Sequence, residues 1–148
     1  ELIINPEHWQ RDRWETDAEL MKEMGLTVVR MAEFSWHKLE PQEESMTLHG
    51  WTMPSTCWAA TESGRLWERL RLLRLLDGKR YPEILPVDRG GAGKGFGGRH
   101  HDCQSNAVYR GFVRKIVTAM AVHYKDNPNV IGWQPDNELG NSHHDLCM

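Results

Sequence analysis

The stretch VIGWQPDNELG at residues 130–140 decides how this chain is predicted to fold. It opens with a short apolar run, Val130 to Trp133, which follows an Asn-Pro-Asn turn. An apolar run of this length between a turn and a polar cluster is typical of a buried strand. Asn137 and Glu138 then stand just past the strand, where parallel α/β folds keep their chemistry. Glu138 is therefore our first candidate for a catalytic acid/base.

The rest of the chain alternates helices and strands. Residues 2–4 predict a first strand, residues 13–24 predict an amphipathic helix that Gly25 ends, and residues 27–31 predict a second strand. Another long helix is predicted from Asn106 onwards, ended by a Lys-Asp-Asn-Pro sequence. This alternation predicts an α/β fold, a partial TIM (β/α)8 barrel with roughly its strands 1–4. The chain has 148 residues, whereas a complete barrel has about 250.

Composition excludes several classes of partner. A formal net charge of −3 with 26% charged residues gives no sign of nucleic-acid or membrane-surface binding. No apolar run is long enough to span a bilayer and no signal peptide opens the sequence, so we expect a cytoplasmic protein. Three cysteines are an odd count, which favours free thiols in a reducing compartment over a disulfide framework. Seven tryptophans fit either a packed core or a sugar-binding cleft.

Six blocks of sequence carry a resemblance to a known family. Together they cover most of the chain except residues 46–78, and their order is the family's order. They are PEHW at 6–9, VRMAEFSW at 29–36, LEP at 39–41, YPEILPVD at 81–88, RHHDC at 99–103 and GWQPDNE at 132–138. In these blocks the chain resembles the family 42 glycoside hydrolases, the bacterial β-galactosidases.

The resemblance implies a retaining β-galactosidase on a (β/α)8 barrel. It implies that Glu138 is the proton donor and acid/base, that Asn137 contacts the sugar 2-hydroxyl, and that Arg99 contacts substrate. The chemistry needs a second carboxylate, about 5–5.5 Å away, as nucleophile. In this family that residue comes from strand 7, and neither Glu33 nor any other carboxylate here matches its motif. We therefore expect this chain alone to be inactive.

The same resemblance implies the partners of the whole enzyme. Its substrate would be a terminal β-D-galactoside or an oligosaccharide, although the sequence does not separate β-galactosides from α-arabinosides. The full-length enzyme would be a homo-oligomer, a trimer in this family. Two alternatives stay open: a non-catalytic zinc- or carbohydrate-binding fragment, and a pseudogene product without a stable fold. Glu33 could line the pocket or pair with Arg30.

Cysteines and histidines raise the question of a metal. The resemblance places Cys103 on one zinc ligand of the family and Cys147 on the first cysteine of a C-x-C-x-x-C cluster. Four thiolates make a closed structural zinc site, so two of the four ligands are missing from this sequence. The His doublets at 100–101 and 143–144 are interpreted as loop or pocket-rim groups, because adjacent strand residues point to opposite faces. The G-x-G-x-x-G pattern at 93–98 lacks the strand and helix of a dinucleotide site.

Residues 46–78 differ from the rest of the chain. Met46 to Trp58 shows no strand or helix period, and a Leu/Arg-rich run follows. Back-translation with a one-base slip can decode Met46–Glu62 as YDFAWLDHAIDLLGGHGI and Trp67–Leu75 as GTPTAAPPA. The first string predicts an amphipathic helix, and the second resembles the end of the family's strand 3. We interpret 46–78 as a frameshifted segment in which an unrelated peptide replaces helix 2 and strand 3. The alternative is a genuine insertion or divergent segment.

Overall fold

The computed structural model describes residues 2–3, 9–32, 35–42, 45–48, 64–67, 80–88, 90–93, 95 and 102–134. Helices and strands alternate along these residues. In chain order they are β1 Leu2–Ile3, α1 Arg13–Glu23, β2 Val28–Met31, α2 Trp36–Leu39, β3 Gly64–Trp67, a 3-10 helix Pro82–Ile84, α3 Ala107–Tyr124 and β4 Val130–Trp133. Along the described residues, no helix combines the length and apolar character that a membrane crossing requires.

The strands form one parallel sheet in the order β1-β2-β3-β4. Parallel neighbours in chain order require a crossover connection between each pair of strands, which is the βαβ arrangement. The predictions of β1, β2 and β4 and of a parallel α/β fold are therefore confirmed. Within the described part of the chain the sheet is open, with β1 and β4 at its edges.

Helix α1 ends where the sequence predicted. Gly25 has a positive φ of +70°, its N–H donates to the Lys22 carbonyl, and the Leu26 N–H donates to the Met21 carbonyl. This pair of bonds is the Schellman motif, and it needs a residue that tolerates the left-handed conformation. The resulting turn brings α1 back over β2, where Ala18 and Met21 pack with two buried β2 residues, Val29 and Met31.

Helix α3 begins at a side-chain cap. The Asn106 Oδ1 accepts the N–H of Val108 at 2.8 Å and that of Tyr109 at 3.1 Å, and its Nδ2 donates to the Glu83 carbonyl at 2.8 Å. Asn106 therefore satisfies two N–H groups that a helix start leaves without intrahelical acceptors. The same side chain also ties α3 to the 3-10 helix. The prediction of a long helix from Asn106 is confirmed.

Strand β3 corrects one expectation. Gly64–Trp67 lies inside the segment 46–78, yet it pairs in parallel with β2 on one side and β4 on the other. The expectation that this segment supplies no strand is therefore wrong. Backbone N–H and C=O groups carry the pairing, so a peptide with little strand periodicity can still occupy a central position. The pairing with β4 is irregular, with a register shift between Arg65 and Leu66.

The start of the same segment also joins the core. Leu48 is buried and Met46 packs against the main core cluster. The Thr47 N–H donates to the Leu39 carbonyl at 2.7 Å, and the Tyr124 hydroxyl donates to the Leu48 carbonyl at 3.4 Å. Met46 and Leu48 therefore pack in the same core cluster as α2 and α3.

Two short helices were not predicted. The sequence indicated a loop over residues 39–41, but Trp36–Leu39 forms one helical turn, α2, with both end residues buried. Pro82–Ile84 forms the 3-10 helix, and Ile84 is fully buried. Elements of one turn carry too few residues to show a 3.6-residue period, so an amphipathic pattern does not reveal them.

Glu40 is a charged residue inside the core. It is only 1% exposed, its Oε2 accepts the Trp36 Nε1–H at 2.9 Å, and its Oε1 forms an ion pair with Lys115 of α3. A buried carboxylate is tolerated when its oxygens have donors and a counter-charge. Glu40 thereby joins α2 to α3.

Replacing Glu40 with Ala is expected to destabilise the chain by about 2–4 kcal/mol, because the buried Trp36 N–H loses its acceptor and a cavity remains. Lys115→Met is expected to destabilise the chain by a similar amount, because it leaves the buried Glu40 carboxylate without its counter-charge. Urea denaturation followed by circular dichroism measures both. The matched control is Asp17→Ala, which removes an exposed ion pair with Arg13 and is expected to cost under about 0.5 kcal/mol. Equal losses for Glu40→Ala and Asp17→Ala would contradict the assignment of Glu40 to the core.

Candidate active site at the carboxyl edge of the sheet

Strand β4 leads directly to the predicted catalytic pair. It covers Val130–Trp133 as predicted, and Gln134 follows it in the described part of the chain. Asn137, Glu138, Arg99 and Cys147 all lie outside the described residues. The structure therefore describes β4 and Gln134, which precede Glu138 in the chain.

The sheet has one helix-covered face and one opposite face. Val29 and Met31 are 0% and 1% exposed and pack with α1, and Val130 packs against the core cluster that contains α3. Successive strand residues point to opposite faces. Arg30, between Val29 and Met31, therefore lies on the face away from the helices.

A hydrogen bond crosses that opposite face. The Arg30 Nη1 donates to the Gln134 Oε1 at 2.6 Å. The two residues belong to β2 and to the position after β4, so the bond passes over β3. Sequence reasoning did not find this contact, because the residues are 104 positions apart. Its one signal was an arginine in the middle of an otherwise apolar strand.

The turn after β2 is conformationally constrained. Ala32 has a φ of 72° and is fully buried, and the Ser35 N–H donates to its carbonyl at 3.3 Å. A left-handed conformation costs a residue other than glycine or asparagine about 1–2 kcal/mol, and surrounding contacts must hold it. Ser35 and Trp36, both buried, supply those contacts. Glu33, the pocket-lining candidate in this turn, lies outside the described residues.

Two of the other acidic side chains have surroundings unlike those of a catalytic carboxylate. Glu40 is enclosed between α2 and α3, where its Oε2 accepts from Trp36 and its Oε1 pairs with Lys115. Glu83 lies on the 3-10 helix and is exposed. Neither belongs to the strands whose carboxyl ends form the candidate site, which agrees with the absence of a nucleophile motif around them.

A compact loop precedes Arg99. Val87 and Gly93 form an isolated antiparallel bridge. Between them, the Asp88 Oδ1 accepts the N–H groups of Gly90 at 2.8 Å and Ala92 at 2.9 Å. Within the described residues the 3-10 helix Pro82–Ile84, rather than a strand of the sheet, comes before this loop. The arrangement differs from a dinucleotide-binding turn, which directly follows a strand.

Cys103 is the metal-ligand candidate that the structure describes. It is buried, its N–H donates to the Ile84 carbonyl at 2.7 Å, and its sulfur takes part in a disulfide. The expectation of a free thiol is therefore wrong for this state of the chain. Zinc binds a thiolate, so the disulfide must be reduced before Cys103 can bind zinc. Among the described residues no three His, Cys, Asp or Glu side chains stand together as a metal site. Zinc at Cys103 and Cys147 stays a prediction.

Comparison with known proteins gives the family. The family 42 glycoside hydrolase model, described as β-galactosidase, matches residues 3–52 and 78–148. A β-galactosidase of Thermus thermophilus is 42% identical over 146 residues, which cover 91% of this chain and 21% of that protein. β-Galactosidase BgaH of Haloferax lucentense is 34% identical, with coverage of 91% and 20%.

Solved structures give the same result. The polyextremophilic β-galactosidase of the Antarctic haloarchaeon Halorubrum lacusprofundi superposes with a TM-score of 0.86 at 32% identity, covering 97% of this chain and 22% of that one. The cold-adapted β-galactosidase of Rahnella sp. R3 has a TM-score of 0.85 at 31% identity, with coverage of 95% and 21%. The description of these enzymes as bacterial is too narrow, because one of the structures is haloarchaeal.

The family match extends over both ends of the chain and includes β2, β4 and Ile3 of β1. The chain spans about a fifth of the length of the relatives it matches, and it belongs to glycoside hydrolase family 42, the β-galactosidases.

Proposed function

We propose that this chain supplies the acid/base part of the active site of a retaining β-galactosidase. The observation that carries the proposal is the family match across β4, a strand whose carboxyl end leads to Asn137 and Glu138. In TIM-barrel enzymes, residues at the carboxyl ends of the strands perform the chemistry. Arg99 and Asn137 are the proposed substrate contacts, and terminal β-D-galactosides are the proposed substrates.

The proposed roles follow from the retaining mechanism. Glu138 first gives its proton to the glycosidic oxygen as the leaving group departs, while a second carboxylate attacks the sugar carbon. Glu138 then removes a proton from the water that hydrolyses the glycosyl-enzyme. The two carboxyl groups of such enzymes stand about 5–5.5 Å apart. We infer that the nucleophile belongs to the part of the enzyme beyond this fifth, so the chain by itself does not turn over substrate.

Several finer features stay predictions from the family resemblance. They are a structural zinc held by Cys103, Cys147 and two further ligands, a homotrimeric full-length enzyme, and a cytoplasmic location. None of them enters the roles proposed for Glu138, Asn137 and Arg99.

We also propose that residues 46–78 contain a stretch translated out of frame. The family model leaves residues 53–77 without a match between two matched parts, which supports a lesion inside that interval. The matched part reaches residue 52, and Met46 and Leu48 pack in the core, so the first positions of the segment are the least affected.

Activity can be tested in a hybrid enzyme. The repaired hybrid carries this chain in place of the aligned part of the Thermus thermophilus relative, with residues 53–77 taken from that relative. We expect it to hydrolyse aryl β-galactosides, and we expect Glu138→Gln to lower kcat/KM by about 100-fold or more on phenyl β-galactoside, because a poor leaving group needs the proton. The loss should be much smaller on 2,4-dinitrophenyl β-galactoside, whose leaving group departs without one.

The matched control is Glu19→Gln, the same chemical change on an exposed position of α1, which should leave kcat/KM within about twofold. An inactive repaired hybrid, or a Glu138→Gln variant with unchanged activity on phenyl β-galactoside, would refute the proposed function.

A second hybrid tests the segment. It keeps this chain's own residues 53–77, and we expect its soluble yield or kcat/KM to fall by at least about tenfold below the repaired hybrid, because an unrelated peptide cannot reproduce the helix and strand patterns of a barrel. Equal yield and activity would identify 53–77 as a tolerated divergent segment. The nucleotide sequence gives an independent answer, since the absence of a one-base slip within codons 46–78 would end the frameshift proposal.

A further inference from the structure

One polar contact joins two strands that are not neighbours. Arg30 of β2 donates from Nη1 to the Gln134 Oε1 at 2.6 Å, and β3 lies between β2 and β4. Adjacent strands are about 4.8 Å apart, so the two side chains together bridge roughly twice that distance. Both are long enough, and both project from the face of the sheet away from the helices.

The register of the sheet explains how the guanidinium can cross. Arg30 is paired with Leu66 in β3, and Leu66 is paired with Gly132 in β4. These pairings place Arg30 and Gly132 at the same level of the sheet. Gly132 has no side chain that could compete with Arg30 for the space beside β4.

The contact acts where the backbone pairing is least regular. The pairing of β3 with β4 has a register shift between Arg65 and Leu66, and β3 comes from the stretch that the family model does not match. A bulge weakens the ladder locally and bends the strand. A side-chain bond from β2 fixes the end of β4 without depending on β3.

We propose that Arg30 and Gln134 are positioning residues that hold the carboxyl end of β4 in register with β2 and thereby aim Glu138. The inference rests on the proposed function of Glu138, which follows Gln134 by four positions. A bond from an ionised donor is stronger and more directional than a neutral one. Small displacements of a catalytic group lower the reaction rate by large factors. Holding the end of β4 in place would therefore raise the rate of the step that uses Glu138.

The test uses three variants of the repaired hybrid: Arg30→Met, Gln134→Met and the double variant. Each single change should lower kcat/KM on phenyl β-galactoside by about tenfold or more, because a misplaced acid transfers its proton poorly. On 2,4-dinitrophenyl β-galactoside, which needs no proton, the loss should stay below about threefold. The kcat/KM of the double variant should lie within about twofold of that of the less active single variant, because both changes remove the same bond.

Two further variants separate positioning from general damage. Gln134→Glu keeps an acceptor for Arg30 and should retain most of the activity. Arg13→Met removes an arginine from the exposed pair with Asp17 and should change neither substrate's kcat/KM. Parallel losses on both substrates, losses that multiply in the double variant, or unchanged activity in the single variants would each overturn the proposal.

A measurement without activity keeps the test independent of Glu138. In the 148-residue chain, amide hydrogen exchange at positions 131–134 should quicken by about tenfold in either single variant and no further in the double variant. If both single variants exchange these amides as slowly as the unchanged chain, the positioning role of Arg30 and Gln134 is overturned, even if Glu138 is catalytic. Conversely, the loss of kcat/KM in Glu138→Gln could be the same for both leaving groups while hydrogen exchange responds as expected. The proposed function would then fail, and the role of the Arg30–Gln134 bond in holding the end of β4 would stand.

Discussion

Parallel pairing of the strands is the constraint on which the rest of this structure depends. Because β1 to β4 run in one direction and in chain order, their carboxyl ends meet at a single edge. The constrained turn at Ala32 and the Arg30–Gln134 bond lie at that edge, and Gln134 precedes Glu138 by four positions. An antiparallel arrangement would send neighbouring strand ends to opposite edges, and the residues after β2 and β4 would not converge.

Among the described residues, the core that supports this sheet forms two clusters. Its main cluster joins α2, the 3-10 helix and α3, and the second cluster joins α1 to β2. Backbone pairing tolerates varied side chains, whereas close packing responds to the loss of a single methylene. The strand Gly64–Trp67 can therefore take its place in the sheet although its stretch has no family match.

Sequence reasoning succeeded where one physical signal dominated. Periodicity gave α1, α3 and the apolar strands, and Gly25 and Asn106 marked a helix end and a helix start through their backbone preferences. It failed at α2 and at the 3-10 helix, which are too short to show a period, and at β3, whose pairing is dictated by its neighbours. Periodicity describes one element at a time, so it could not predict the Arg30–Gln134 bond, which joins two elements. Glu138, Asn137 and Arg99 came from the family blocks, and local pattern alone had indicated only the carboxylate after β4.

The two faces of the sheet carry different kinds of side chain. On the helix side, Val29, Met31 and Val130 follow the usual rule that apolar residues fill the space between sheet and helix. The interior of a TIM barrel is normally filled by branched apolar side chains in layers. An arginine at an interior position loses hydration, and a well-packed apolar residue would often be as stable. Arg30 lies on the face of the open sheet that would be interior in such a barrel, and it donates to the amide oxygen of Gln134, the residue after β4. Stability alone does not favour this choice, whereas the proposed role of Glu138 does, because a catalytic carboxylate needs a fixed strand end before it.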